Sequence, residues 1–440
     1  MRFGILTQYY PPEIGAPQVR LSELAACLTR RGHEVTVLTA MPNYPAGRIH
    51  DGYAGLWRRE NMAGANIIRT AIYPSRALGI RRLASYGSFV ASSSALGALM
   101  LPGLDFLMTE SPPLFLGIAG YWLSRLKRAR WIFNVSDLWP ESAVRLGAVG
   151  EGWALSTAFA LESACYRRAW LVSGQSQEIL EDITRRFPGV PTWHLANGAN
   201  PEVFSPAARS PEARRKLGGG SCIALYAGLH GIAQGLDQVL RAAVMLRDIE
   251  GLRIVLMGEG PEKAALVRAA KERGLANVGF LDPVARVEMP ALLASADIAL
   301  VPLKDYLPGA VPSKIYEAMA AAVPVVLAGD GEAAAIVRRS RSGVVVPPGD
   351  ADRLALAIGE LAGDEERRRD LGSAGLRAAL GEFNRREILD RFIDHLERFQ
   401  SNADLQRCGS AAQLHENGAA GHRDEKKAMA ANPGAHRPAL

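Results

Sequence analysis

L-P-G-A-V-P-S-K-I-Y-E-A-M-A-A-A-V-P-V-V-L-A, residues 307–328, reads as a loop, a short helix and a buried strand in direct succession. The Pro- and Gly-rich opening predicts a loop ending at Ser313, a favoured helix N-cap. Ile315, Ala318, Met319 and Ala322 follow at helical spacing. Pro324 stops that helix, and the apolar run Val325–Ala328 is a strand of the kind covered on both faces. Lys314 and Glu317 then share one face of the first helical turn, above the carboxyl end of the preceding strand. Ligands of open α/β sheets bind in that position. Helix-start amides beside a lysine suit a phosphate, and a nearby carboxylate can accept from sugar hydroxyls. The same residues would also serve as a plain helix start with a surface ion pair.

Outward from this stretch the strand–helix rhythm repeats twice. In the first series F-G-I-L-T (3–7) is a buried strand, followed by the loop Q-Y-Y-P-P-E-I-G-A-P-Q. A helix burying Val19, Leu21, Leu24, Ala25 and Leu28 ends at Arg30, Arg31 and Gly32, and E-V-T-V-L-T (34–39) is the next strand. No G-x-G-x-x-G follows strand one, which disfavours a nicotinamide or flavin site. Further strands are expected near 66–72, 105–110, 130–135, 170–174 and 192–196. The turn H-L-A-N-G-A-N-P-E-V-F (194–204) breaks the rhythm, and 205–220 has linker composition. The second series has strands at 223–228, 253–258, 277–281, 298–303, 324–328 and 343–346, closed by helices near 350–362, 364–380 and 384–399. Alternation of this kind predicts two Rossmann-like, doubly wound parallel α/β domains facing across a cleft. Their expected extents are 1–200 and 205–385, with a helix at 386–400 packing back on the first domain and a disordered tail at 401–440.

With 440 residues and a net charge of +6, the composition is that of a soluble globular protein with a mildly basic surface. No cluster of Lys/Arg with interleaved aromatics points to nucleic acid. Cys27, Cys165, Cys222 and Cys408 have no paired spacing, which predicts neither a zinc site nor a disulfide framework and suits a reducing cytosol. No secretory signal precedes the first strand. Residues 83–104 carry no charge and follow Arg76, Arg81 and Arg82. They read as a packed crossover helix, with contact to a bilayer through its outer side and, more remotely, a span as the other readings. The arginines favour anionic lipid or a phosphorylated acceptor.

Several loops carry chemistry. W-I-F-N-V-S-D-L-W-P-E-S (131–142) empties a strand into Ser136 and Asp137, where Asp137 is either a base or hydroxyl-orienting group, or a helix cap. A-G-L-H-G-I-A-Q-G-L-D (227–237) places Gly228, His230 and Gln234 where backbone and side-chain donors can meet an oxyanion. M-G-E-G-P (257–261), with Gly258 and Glu259, suits backbone contact with a flat base, although Glu259 equally fits a helix-start charge. Asp350 and Asp352 read as helix caps. No His/Asp/Glu cluster has metal spacing, and metal-independent chemistry is expected.

Taken together, Y-Y-P-P-E-I-G-A-P, N-Y-P-A-G (43–47), S-P-P-L (111–114), D-L-W-P-E-S, N-G-A-N-P-E-V-F, G-L-H-G-I-A-Q-G-L and P-S-K-I-Y-E-A-M-A resemble the retaining glycosyltransferases of family 4 over about residues 1–400. The chain looks most like the fucosyl and N-acetylfucosaminyl transferases of O-antigen, capsule and colanic-acid synthesis. The resemblance implies the GT-B arrangement and hexosyltransferase-type transfer from a UDP- or GDP-sugar to a lipid-linked or growing saccharide. The reaction would run at the inner face of the cytoplasmic membrane, with no cofactor beyond the donor. It makes Glu317 the second Glu of the family's E-x(7)-E element and a contact of the donor ribose, with Gly309 where the first would stand. Gly15 matches the glycine under the donor phosphates, and Ser136–Asp137 replaces a frequent His–Asp pair. Catalytic roles then fall to Asp137, Lys314 and Glu317. Donor contacts fall to Gly15, Gly228, His230, Gln234, Gly258, Glu259, Ser313, Lys314 and Glu317. A nucleotide-sugar 2-epimerase, which needs no membrane-facing segment, and an inactive sugar-nucleotide-binding scaffold subunit fit the same architecture.

Overall fold

The computed structural model describes residues 1–402 apart from 14, 45–46, 76–78 and 146–151. Arg76, and the expected tail beyond 402, lie outside the described residues. The chain falls into two compact units. Arg2–Leu389 carries both sheets, and the other contains Met1 and the helical residues 390–402.

The first sheet has eight strands, β1 (Arg2–Thr7), β2 (Glu34–Ala40), β3 (Trp57–Met62), β4 (Ala65–Thr70), β5 (Phe106–Ser111), β6 (Arg130–Val135), β7 (Leu171–Gly174) and β8 (Thr192–His194). They lie in the order β3-β4-β2-β1-β5-β6-β7-β8, parallel except for the β3–β4 hairpin. The second sheet has six, β9 (Cys222–Ala227), β10 (Leu252–Met257), β11 (Val278–Leu281), β12 (Ile298–Pro302), β13 (Val325–Ala328) and β14 (Gly343–Val346), in the order β11-β10-β9-β12-β13-β14. The central strands are buried along nearly their whole length because helices cover both faces, so they read as unbroken apolar runs. Chain order reverses between β1 and β5 in one sheet and between β9 and β12 in the other. Each reversal opens a crevice at the carboxyl ends of the two strands, where connections depart in opposite directions.

Four local expectations are corrected. The β3 strand was not foreseen: W-R-R-E-N-M is charged and mostly exposed, as an edge strand can be, and Ala63 and Gly64 turn the hairpin with φ of 51° and 85°. The helix of the 307–328 stretch spans Ser313–Ala320, so Ser313 is its first residue and Pro312 holds the N-cap position with no side-chain cap. Ala322 lies past its end at a φ of 55°. Residues 205–220 are not a bare linker, since Pro211–Lys216 is helical and Arg214 pairs with Asp297 at 2.8 Å. On the Ala16–Arg30 helix Val19 is only half-buried, while Gln18 and Arg20 are buried.

Most of the uncharged segment lies in the helix Ile80–Met100, which opens with Arg81 and Arg82 and packs Ser85, Phe89, Ser93 and Gly97 inward. No described helix is long and apolar enough to cross a membrane. Cys27, Cys165 and Cys222 are buried without a disulfide, and Cys408 lies outside the described residues.

Candidate active site

The second sheet's crevice is assembled by the turns after β9, β10 and β12. At Gly228 the backbone has a φ of 152°, and a Cβ there would sit 2.7 Å from Lys314 Nζ. Glycine is needed so that the lysine can lie over the strand end. The neighbouring turn is equally tight, because a Cβ on Gly258 would fall 1.8 Å from the Gly228 carbonyl oxygen. Lys304 N donates to Ala233 O, and buried Gln238 donates to Leu303 O and accepts from Gly349 N. These bonds sew the turns together into one rigid rim.

Lys314 is half-buried, its Nζ 5.5 Å from the centre of the Tyr226 ring, with no hydrogen bond or ion pair among the described residues. Burial lowers its pKa, and Glu317 one turn away only partly offsets this. Glu317 is half-buried and faces the Arg286 guanidinium, whose pKa burial lowers against the pull of Glu317 and Glu23. An ammonium held at a strand-end crevice without a counter-ion is a site for an anion.

The other expected donor contacts are placed differently. The His230 ring is fully buried against Tyr226 and Phe280. Neither ring nitrogen has a hydrogen-bond partner among the described residues, although the nearby Met257 carbonyl favours the charged form. Burial, then Lys263, lowers its pKa, so it is a neutral ring supporting the loop from within. Gln234 is half-buried with Oε1 enclosed and unpartnered. Glu259 points outward and pairs with Lys263 at 3.3 Å, the helix-start arrangement. Ser313 opens the helix that carries Lys314 and Glu317.

The first sheet's crevice is built on a buried polar network that the sequence did not reveal. Arg20 donates to Glu110 Oε1 (2.6 Å), Ser136 Oγ (2.6 Å), Asn197 Oδ1 (2.7 Å) and Gln175 Oε1 (3.1 Å). Ser136 also donates to Glu110, and Asn134 donates to the other Glu110 oxygen at 2.6 Å. Ser136, where a histidine is frequent in the resembled family, is thus committed inward. Its neighbour Asp137 accepts from Ser142 Oγ. Burial raises the Asp137 pKa, with the Ser142 hydroxyl and the Leu138 amide acting against that rise. Gly15 is the extended N-cap of the Ala16–Arg30 helix, and the Gln18 side chain folds over it.

A cavity of about 90 Å³ opens past the end of β1, lined by Gln8, Tyr9, Asn43, Tyr44, Arg82 and Ser85 among others. Gln8 is buried there with Oε1 unpartnered. Glu13 locks the cavity's wall by accepting from the Tyr10, Asn43 and Tyr44 amides. Asp350 caps its helix through Arg353 N, as expected. Among the described residues, no three His, Cys, Asp or Glu cluster as a metal site requires.

Two doubly wound sheets, each with a crevice at its switch point, define a GT-B fold. Solved structures share that architecture. They include sucrose-phosphate synthase from Thermosynechococcus elongatus (TM-score 0.74, 21% identity, 91% of this chain and 100% of that one). Anabaena HepE, solved with UDP, aligns at TM-score 0.66 and 18% identity over 90% of this chain and 100% of its own. In sequence, residues 211–377 match the family model for glycosyl transferases group 1, and 15–217 match a glycosyl transferase 4-like domain. Escherichia coli WcaI, assigned to colanic acid biosynthesis as a glycosyl transferase, is 30% identical over 71% of this chain and 79% of its own length. A GDP-mannose-dependent mannosyltransferase acting on phosphatidylinositol monomannoside in Mycobacterium tuberculosis is 31% identical, over 43% of this chain and 51% of its own. The chain belongs to the group 1 glycosyltransferases, and it is a hexosyltransferase-type enzyme.

Proposed function

We propose that this enzyme moves a sugar of the fucose or N-acetylfucosamine type from a UDP- or GDP-linked donor to a lipid-linked or growing saccharide in bacterial surface polysaccharide synthesis. Transfer proceeds with retention, without a metal ion, at the inner face of the cytoplasmic membrane. The observation that carries the reading is Lys314, an ammonium with no ion pair among the described residues, held over Gly228 at the switch point of the second sheet.

In this reading the second domain, 205–385, holds the donor. Lys314 and the amides of the Ser313 helix start stabilise the departing diphosphate, Glu317 accepts from the ribose hydroxyls, and the Gly228 and Gly258 turns let nucleotide and backbone approach. Gln234 Oε1, enclosed and unpartnered, is a polar group that a rearranged loop can turn to the ligand. The first domain, 1–200, brings Gly15 beneath the transferred sugar and Asp137 to the acceptor hydroxyl. Burial raises the Asp137 pKa, which makes it a stronger proton acceptor than an ordinary aspartate. The cavity beside Arg82 takes the acceptor. The relative from colanic acid biosynthesis and the fold neighbour solved with UDP support acceptor and donor classes respectively. No feature of the site favours the epimerase or scaffold reading.

Calorimetric titration of UDP and of GDP, without metal, tests the assignment. Binding of one nucleotide, weakened at least about tenfold by K314A, is expected from the loss of a charge-assisted contact. Absence of binding by both, or unchanged affinity in K314A, would overturn it.

A further inference from the structure

We infer that Glu178, on the first sheet's side of the molecule, is a positioning residue for the crevice of the second. It rests on the donor reading for its kinetic consequence alone.

The helices Gln177–Arg186 and Gly331–Arg339 exchange carboxylates at their N-terminal turns. Glu332 accepts from the Gln177 amide at 3.0 Å and the Glu178 amide at 2.8 Å. In return Glu178 Oε2 accepts from the Glu332 amide at 3.3 Å. Each glutamate, second in its own helix, meets the other helix's first-turn donors, where positive partial charge gathers. The exchange holds the two sheets' surroundings together through backbone groups on both sides.

Glu178 does more than return the contact. Its Oε2 also accepts from Gly309 N at 3.0 Å, and its Oε1 accepts the Tyr306 hydroxyl. Gly309 has a φ of 72°, and a Cβ there would lie 2.4 Å from Ile179 Cγ1. The position resembling the family's first Glu therefore has no room for a side chain, and a carboxylate arrives from the other domain instead. The loop so gripped connects β12 to the helix of Lys314 and Glu317. Its first residues are fixed by Ala233 and Gln238, so Glu178 supplies the hold further along the loop. Releasing it frees the stretch that sets where the Ser313–Ala320 helix begins.

Hydrogen exchange on the full chain, with nucleotide titration, tests this. In E178A the Gly309 and Glu332 amides should exchange at least about tenfold faster, as loss of a charge-assisted acceptor predicts. E332A should instead accelerate the Gln177 and Glu178 amides. Donor affinity should fall about tenfold in E178A while the KM for acceptor stays put, and E178Q, which keeps one acceptor oxygen, should lie between. Should E178A not fold, E178Q carries the same measurements. Unchanged exchange at Gly309, or faster exchange with unchanged donor affinity, would overturn the proposal. If the wild type bound neither nucleotide, the donor reading would fall, and Gly309 exchange would still decide whether Glu178 holds the loop.

Discussion

Lys314 is the residue whose chemistry is most exposed to test. Burial lowers its pKa, so its ammonium is lost at a lower pH than that of an ordinary lysine. Nucleotide affinity should then fall as pH rises through that lowered value, and K314M should flatten the profile, which calorimetry over a pH series reads directly. Stability of the unliganded protein should move the opposite way. Between the lowered folded pKa and the ordinary lysine value the unfolded chain holds the proton and the folded chain does not, so stability rises with pH across that window. Lys314 and Glu317 were legible because a loop, a three-residue spacing and a strand leave little freedom in where they point. The cap was not legible at Ser313, since Pro312 already has the extended ψ of 128° that an N-cap needs. Nor was the burial of His230: a Gly-rich loop reads as exposed, and beside nearby Tyr226 the second aromatic wall, Phe280, comes from the separate strand β11.

Among the elements, the Ala16–Arg30 helix carries the largest departure from its sequence pattern. Leu21, Leu24, Ala25 and Leu28 announce an apolar face, yet Arg20 is 2% exposed within it. Four side-chain acceptors gather from β5 and from the segments after β6, β7 and β8, and none of them is within 80 residues of Arg20 in sequence. No local pattern could disclose that convergence. R20M leaves the buried Glu110 carboxylate short of its partner, which should cost about 3–5 kcal/mol of stability. The double variant R20M/E110L removes both charges and should lose less than R20M alone. Urea denaturation of both proteins measures the difference. The edge strand β3 escaped notice for a related reason, since W-R-R-E-N-M has neither alternation nor an apolar run and is held by pairing with β4.

At the scale of the whole molecule, the two α/β halves follow from the alternation of strands and helices, while the surface follows from which sides those helices leave outward. The helix Ile80–Met100, uncharged after Arg82, invited a bilayer contact in sequence. Folded, it exposes mostly Gly87, Ala91 and Ala95 between Leu83 and Leu99, a thin apolar strip. The next helix, Leu116–Lys127, packs against it and exposes Ile118 (49%), Tyr121 (38%), Trp122 (52%) and Leu126 (45%) along one side. Arg125 stands among them, Arg128 follows, and Arg168 lies 5.5 Å from the Tyr121 ring centre. No acidic residue occurs from 111 to 136. Exposed aromatic rings with arginines among them suit the headgroup boundary of an anionic membrane, where each basic residue contributes about 1 kcal/mol. The Phe115 ring at this helix's start lies 6.2 Å from the Tyr86 ring, whose hydroxyl accepts from Arg82 of the cavity proposed for the acceptor, so a lipid-linked saccharide bound there would enter close to the bilayer. Sedimentation with vesicles containing anionic lipid should recover the wild-type protein, less so as salt rises. R125E reverses one charge and should weaken partitioning by about 2 kcal/mol, more than tenfold, whereas W122A should weaken it without changing the salt dependence. Equal recovery of wild type and R125E would show that this face does not meet the membrane.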